Sequence, residues 1–193
     1  MTFPNGIDLD EQPIAADERA DVPELLFVAS TFATWHGLDL LLEDLDRTDA
    51  DFRLHLVGDV DSADRERAVL DPRVVLHGRL TPDAIRTLTA RAWVGLSSFA
   101  IDRKGMEEAC TLKVRQYLAS GLPTYSGHRD RFPAEAPFYR QGPPDFDRVL
   151  EYAHQMRALS REEVRRASAP LISKASIITD AYDRLQSILS TGR

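Results

Sequence analysis

Short apolar runs alternate with charged segments of helical periodicity along most of the chain, and this alternation constrains the fold more than any other feature. Glu24–Ser30 (ELLFVAS) is an apolar run bounded by Pro23 and the pair Ser30-Thr31, as a buried strand requires. Leu38, Leu41, Leu42 and Leu45 then recur at helical spacing and predict a helix over 36–47. Strands are expected at 53–58, 74–80, 93–98 and 123–126, with a sixth near 138–140. Helices are expected near 62–70, at 82–91 behind Pro82, and at 111–119, where Gly121 and Pro123 form a stop signal. The tail carries two more stripes, Phe146, Val149, Leu150, Ala153 and then Ile178, Ala181, Tyr182, Leu185, Leu189. Such a pattern specifies an α/β fold with a parallel sheet, helices on both faces and a helical C-terminal tail.

Sheets of this kind bind ligands outside the carboxyl ends of their strands. Three loops fall there: Ser30–Gly37, Gly78–Thr81 and Phe99–Thr111. The last is long for such a connection, and long loops are often functional. It carries Arg103, Lys104, Glu107 and Glu108 to the start of a helix, where free N–H groups and the helix dipole suit a phosphate. The two glutamates are equally explained as complements to that dipole, and the two cations as solvated charge. In the first loop Ser30, Thr31 and Thr34 offer hydroxyls and His36 a ring N–H, although a helix start capped near Thr34 accounts for the same residues. Arg79 and Leu80 are placed to border a flat group such as a base; an arginine ending a strand at the surface is the plainer explanation. Asp59 and Asp61 read as turn formers. No G-x-G-x-x-G, P-loop or G-x-S-x-G pattern occurs.

Composition narrows the classes further. The net charge of −7 argues against nucleic-acid binding while leaving room for a small anion in a local site. The single cysteine, Cys110, excludes an internal disulfide framework and fits a reducing, cytoplasmic compartment. The five histidines lack metal-ligand spacing, so no metal is expected. No apolar run approaches a membrane span, and no secretory signal is read. Residues 1–22 hold six acids against Arg19 alone and read as a solvated leader.

Several segments, in order, resemble the C-terminal donor domain of GT-B glycosyltransferases, specifically family 4, or group 1. Asn5-Gly6-Ile7-Asp8 is similar to the segment that closes the N-terminal domain in that family. Phe27–Ser30 and Trp35–Leu41 resemble its first strand, phosphate-facing loop and helix. Leu56-Val57-Gly58 and Val75–Gly78 resemble the next two strands. The stretch from Arg103 to Pro123, with Glu108-Ala109-Cys110-Thr111-Leu112-Lys113 and Tyr117-Leu118-Ala119-Ser120-Gly121-Leu122-Pro123, resembles its acidic motif and following helix.

The resemblance implies a Rossmann-like fold, with an acidic leader and linker at 1–22, a nucleotide-sugar-binding domain at 23–160 and C-terminal helices at 161–193. It implies retaining, hexosyltransferase-like transfer from a nucleotide diphosphate sugar in polysaccharide or glycoconjugate synthesis, with no metal or other cofactor. In the family's E-x7-E motif the first glutamate touches the sugar and the second the ribose. Glu108 takes the first position and Gln116 the second, an amide in place of a carboxylate. Thr31 and His36 stand where many members carry an arginine and a lysine. The implied diphosphate contacts are Ser30, Thr31, His36, Gly37, Arg103, the backbone of Ala109, Cys110, Thr111 and Leu112, and Lys113. Arg79 and Leu80 border the base, and Glu108 and Lys113 stand nearest the chemistry. The acceptor-binding N-terminal domain is expected from elsewhere, as another part of the enzyme or a partner subunit, without which the chain is inactive. Peripheral membrane contact stays open. Two alternatives remain at this stage: a non-catalytic binding or scaffolding module with a degenerate donor domain, and a GT-B-type sugar epimerase.

Overall fold

The apolar runs become strands and the periodic segments pack against them. The computed structural model describes residues 4–191, so the first three residues of the leader and the last two of the tail lie outside the described residues. Six parallel strands, β1 (Glu24–Thr31), β2 (Arg53–Asp59), β3 (Val74–Gly78), β4 (Val94–Leu96), β5 (Thr124–Ser126) and β6 (Tyr139–Gln141), lie in the order β3-β2-β1-β4-β5-β6. Strand order therefore reverses between β1 and β4. Ligands of such sheets bind at the carboxyl ends of the strands beside this reversal.

Side chains alternate across the sheet and feed two cores. Leu25 and Phe27 of β1 join Leu54 and Leu56 of β2 beneath α1 (Leu38–Glu43) and α5 (Phe146–Met156). On the other face Leu26 and Val57 meet Tyr117 of α4 (Leu112–Ala119) and Ile85 and Leu88 of α3 (Pro82–Arg91). Each such fully buried large apolar side chain stabilises by about 1.5–3 kcal/mol. A third cluster, with Val114, Leu118, Val164 and Ile172, fastens α4 to α6 (Arg161–Ile172).

Three details depart from the sequence expectations. The helix read over 36–47 is broken into a 3-10 turn at Thr34–His36, α1 itself, and a second 3-10 turn at Leu45–Arg47. Gly37, at φ 67°, separates the first two pieces, and only glycine enters that left-handed region cheaply. The third strand stops at Gly78, where φ of 63° turns the chain, so Arg79 and Leu80 lie beyond it rather than within it. The fourth strand is confined to Val94–Leu96, inside the longer run of 93–98.

The leader's acids are exposed, yet its backbone is docked. Ala15 N–H donates to the Ser120 carbonyl at 3.0 Å, and Glu18 and Ala20 donate to the carbonyls of Ala90 and Arg91, both at 3.2 Å. Arg165 of α6 donates to the carbonyls of Leu9 and Gln12, both at 2.7 Å. At the other end α7 (Lys174–Thr191) turns much of its apolar stripe outward, with Tyr182 59% and Leu189 74% exposed. No helix among the described residues is long and apolar enough to cross a membrane.

Candidate functional site

The 3-10 turn after β1, the long β4 loop and the first turn of α4 meet around the buried Phe27. The Phe27 and His36 ring centroids lie 6.1 Å apart, and the Lys113 ammonium sits 4.7 Å from the Phe27 centroid.

His36 has a defined tautomer. Ala33 N–H donates to Nδ1 at 2.9 Å, so Nδ1 is the acceptor and the ring proton resides on Nε2. Burial and the nearby positive charge of Lys113 lower its pKa to about 4. At neutral pH His36 is thus an uncharged N–H donor.

Lys113 is in the opposite condition. Its Nζ is buried and has no hydrogen-bond partner among the described residues. Burial lowers its pKa to about 7, leaving it partly charged near neutrality. An ammonium taken out of water without a partner is costly, and an anion would relieve it. Lys113 also lines a cavity of 330 Å³ with Gln116, Tyr117, Val28, Ile85 and Arg86, closed on one side by Glu11–Pro13 of the leader. A smaller cavity of 230 Å³ shares Val28 and Ile85 with the first and is lined by Ser30, Arg79 and Leu80. Arg79 is held beside it by Asp59, with Nε donating at 2.8 Å.

Other expected site residues have partners of their own. Arg103 forks onto Asp39 at 2.9 and 2.8 Å and donates to the Thr34 carbonyl at 2.8 Å. The Lys104 ammonium lies 3.9 Å over the Trp35 ring. Glu108 pairs with Arg129 of the β5 loop at 3.2 Å, and Ala109 N–H donates to the Arg129 carbonyl at 3.0 Å. Cys110 meets Asn5, whose N–H donates to Sγ at 3.0 Å. Thr111 caps α4 by accepting from Val114 N–H, which leaves the N–H groups of Leu112 and Lys113 in the first helical turn, where no intrahelical acceptor exists. Thr31 is exposed at the end of β1, opposite Asp59, and Gly37 is packed against Phe99 and Ala100.

The structure therefore gathers Lys113 and Gln116 at one cavity, Ser30, Arg79 and Leu80 at the adjoining one, and His36, Gly37 and Arg103 in the joined turns beside them. It keeps Glu108, Ala109 and Cys110 engaged elsewhere. The sequence marks neither Asp39 nor Glu11–Pro13 as site residues, and Asp59, expected only as a turn former, holds Arg79. An acid in the first turn of α1 hinted at Asp39; no local pattern marks a leader segment that closes a cavity.

The description "Glycosyl transferases group 1" belongs to a family model that matches residues 22–133, more than half of the chain. No curated protein matches it in sequence. Among solved structures, the apo form of the lipopolysaccharide outer core galactosyltransferase WaaB superposes with a TM-score of 0.68 at 12% identity, over 95% of this chain and 54% of that one. HepE from Anabaena, solved with UDP-glucose, gives 0.67 at 14% identity, over 97% of this chain and 57% of that one. The C-terminal domain of the group 1 protein LpcC from Francisella tularensis gives 0.59 at 11% identity, over 88% of this chain and 100% of that one. The chain thus spans about half the length of the two larger structures.

Proposed function

The chain belongs to the group 1 glycosyl transferases, and on that premise we propose that it is the donor-binding half of a GT-B glycosyltransferase, taking a nucleotide diphosphate sugar. The observation that carries this reading is the Lys113 ammonium, buried without a partner on the wall of the cavity that Gln116 lines. A diphosphate placed there supplies the missing anion. The N–H groups opening α4 and the His36 Nε2–H add donors that need no reorganisation. Gln116 bonds the ribose, and Ser30, Arg79 and Leu80 border the base in the adjoining cavity. HepE was solved with UDP-glucose, and a donor of that class fits this arrangement.

In the reaction the bond between the sugar's anomeric carbon and the diphosphate oxygen breaks, and an acceptor hydroxyl oxygen bonds that carbon and releases its proton. Lys113, His36 and the helix N-terminus stabilise the charge gathering on the departing diphosphate. Glu108 orients the sugar once it exchanges its contact with Arg129 for sugar hydroxyls. Transfer with retention, an acceptor bound by a second domain or partner subunit, and action at a membrane surface in glycoconjugate synthesis belong to the same proposal, as does independence of metal. Without the acceptor half, the chain binds donor and transfers nothing.

The rival reading, a binding or scaffolding module that has lost the donor, draws on the engagement of Glu108 by Arg129 and of Arg103 by Asp39. Calorimetric titration with UDP, GDP and UDP-glucose separates the two. The donor-domain reading expects saturable binding with preference for one base; heat of dilution alone up to millimolar ligand, from folded protein, would overturn it in favour of a degenerate domain.

A further inference from the structure

The turns that leave β1 and β4 are welded into one unit. Phe99 N–H donates to the His36 carbonyl at 2.9 Å and Ala100 N–H to the Trp35 carbonyl at 3.3 Å. Gly37 presses so closely that an added Cβ would lie 2.9 Å from Phe99 Cβ and 3.1 Å from Ala100 N. Beyond these backbone links, the only side-chain fork across the seam among the described residues is that of Arg103. Its two nitrogens take both oxygens of Asp39, and one of them also takes the Thr34 carbonyl, which lies inside the turn that ends at His36.

A cation bound in this way is not a free counter-charge. Asp39 neutralises it, and its hydrogen bonds hold the Asp39 carboxyl below the usual carboxylate range. What the fork does provide is geometry, because a planar guanidinium fixes two oxygens and a carbonyl at set distances. We propose that Arg103 and Asp39 form a positioning latch: together they hold the 34–36 turn so that His36 presents its Nε2–H as a fixed donor to the nucleotide's diphosphate, while Arg103 itself does not bind that anion. This inference rests on the donor-domain reading.

The surroundings of His36 supply an independent gauge. Its ring is enclosed by Phe27, Phe32 and Trp35, with ring centroids 6.1, 5.7 and 5.7 Å away, and the charges facing it are those of Lys113 and Lys104. Burial is the main reason it resists protonation, so loosening the turn moves its titration back toward that of an exposed imidazole.

The two roles open to Arg103 predict opposite signs for one substitution. Asp39→Asn removes the carboxylate and frees the guanidinium charge. If Arg103 were a direct phosphate ligand, UDP would bind tighter; as a latch, it binds weaker. The experiment measures UDP affinity and the His36 proton titration by NMR in the parent, Asp39→Asn and Arg103→Lys, with circular dichroism melts confirming the fold. The pair is half-exposed, so its loss leaves the fold intact. The latch predicts that both variants bind UDP about five- to tenfold more weakly and that His36 titrates at higher pH in both. Lysine keeps the charge of Arg103 but not its fork, so rescue by Arg103→Lys contradicts the proposal. Tighter binding by Asp39→Asn, or an unmoved His36 titration in both variants, overturns it. If the parent binds neither UDP nor GDP, the donor-domain reading fails, and the His36 titration alone decides whether the latch exists.

Discussion

Arg115 and Lys113 stand two residues apart at the start of α4, each with its cationic end over a phenylalanine ring, and the fold treats them in opposite ways. Arg115 is 1% exposed and pairs with the buried Asp130 through both terminal nitrogens, one at 2.7 Å, while Nε donates to the Asn5 carbonyl at 3.2 Å. Its guanidinium lies 4.8 Å from the Phe132 centroid. Lys113 has the ring contact, 4.7 Å to Phe27, and no hydrogen-bond partner among the described residues. The first cation ties together the leader, α4 and the β5 loop. The second is held at a cost that loss of its proton or a bound anion relieves, the contrast expected between a structural cation and the proposed binding one.

Breaking the satisfied partner gives the largest effect. Arg115→Ala leaves Asp130 buried and unpaired, and chemical denaturation should show a loss of about 3–5 kcal/mol. The same truncation logic reverses at the other cation. Lys113→Met keeps the aliphatic stem over Phe27 and removes the orphaned ammonium, so at pH 6 the free protein should gain about 1–3 kcal/mol. That gain should accompany a ten- to hundredfold loss of UDP affinity, the size of a lost charged hydrogen bond, about 1.5–3 kcal/mol.

Acidity sharpens the contrast. Lys113 titrates at about 7 in the free protein, and a bound anion favours its protonated form, so the bound value is higher. Affinity for UDP-glucose, whose diphosphate does not titrate near neutrality, is therefore full below pH 7. It falls by up to about tenfold per pH unit above that. A flat isothermal-titration profile between pH 6 and 9 would place the anion elsewhere. The smallest effect is expected at Gln116, where Gln116→Glu restores a charged acceptor for the ribose and should tighten UDP binding severalfold without changing the melting temperature.

The same contrast explains what was legible in the sequence. Apolar runs reported the six strands and the turn of Gly121 and Pro123 ended α4, because burial and backbone conformation are local properties. Lys113 and Gln116 were picked out only through the family resemblance, and they line one cavity. Partner choice was not legible. Nothing local pairs Arg103 with Asp39, Glu108 with Arg129, or Arg79 with Asp59, since the loops that bring them together are set by strand order. Gly37 could be seen as a glycine but not as the break between a 3-10 turn and α1. The leader's exposed acids were evident, whereas its docking depends on Arg165, which is more than a hundred residues away.

If the Lys113 ammonium awaits the donor's diphosphate, as proposed, its own titration must respond to the ligand. Lysine side chains labelled with 13C allow the Lys113 Nζ to be followed by NMR from pH 5 to 11, with and without saturating UDP-glucose, Lys113→Met assigning the signal. A midpoint of about 7 is expected in the free protein, rising toward the ordinary 10.5 when ligand is bound. A midpoint that stays put while UDP-glucose demonstrably binds would show that Lys113 does not face the anion, and the claim would fall.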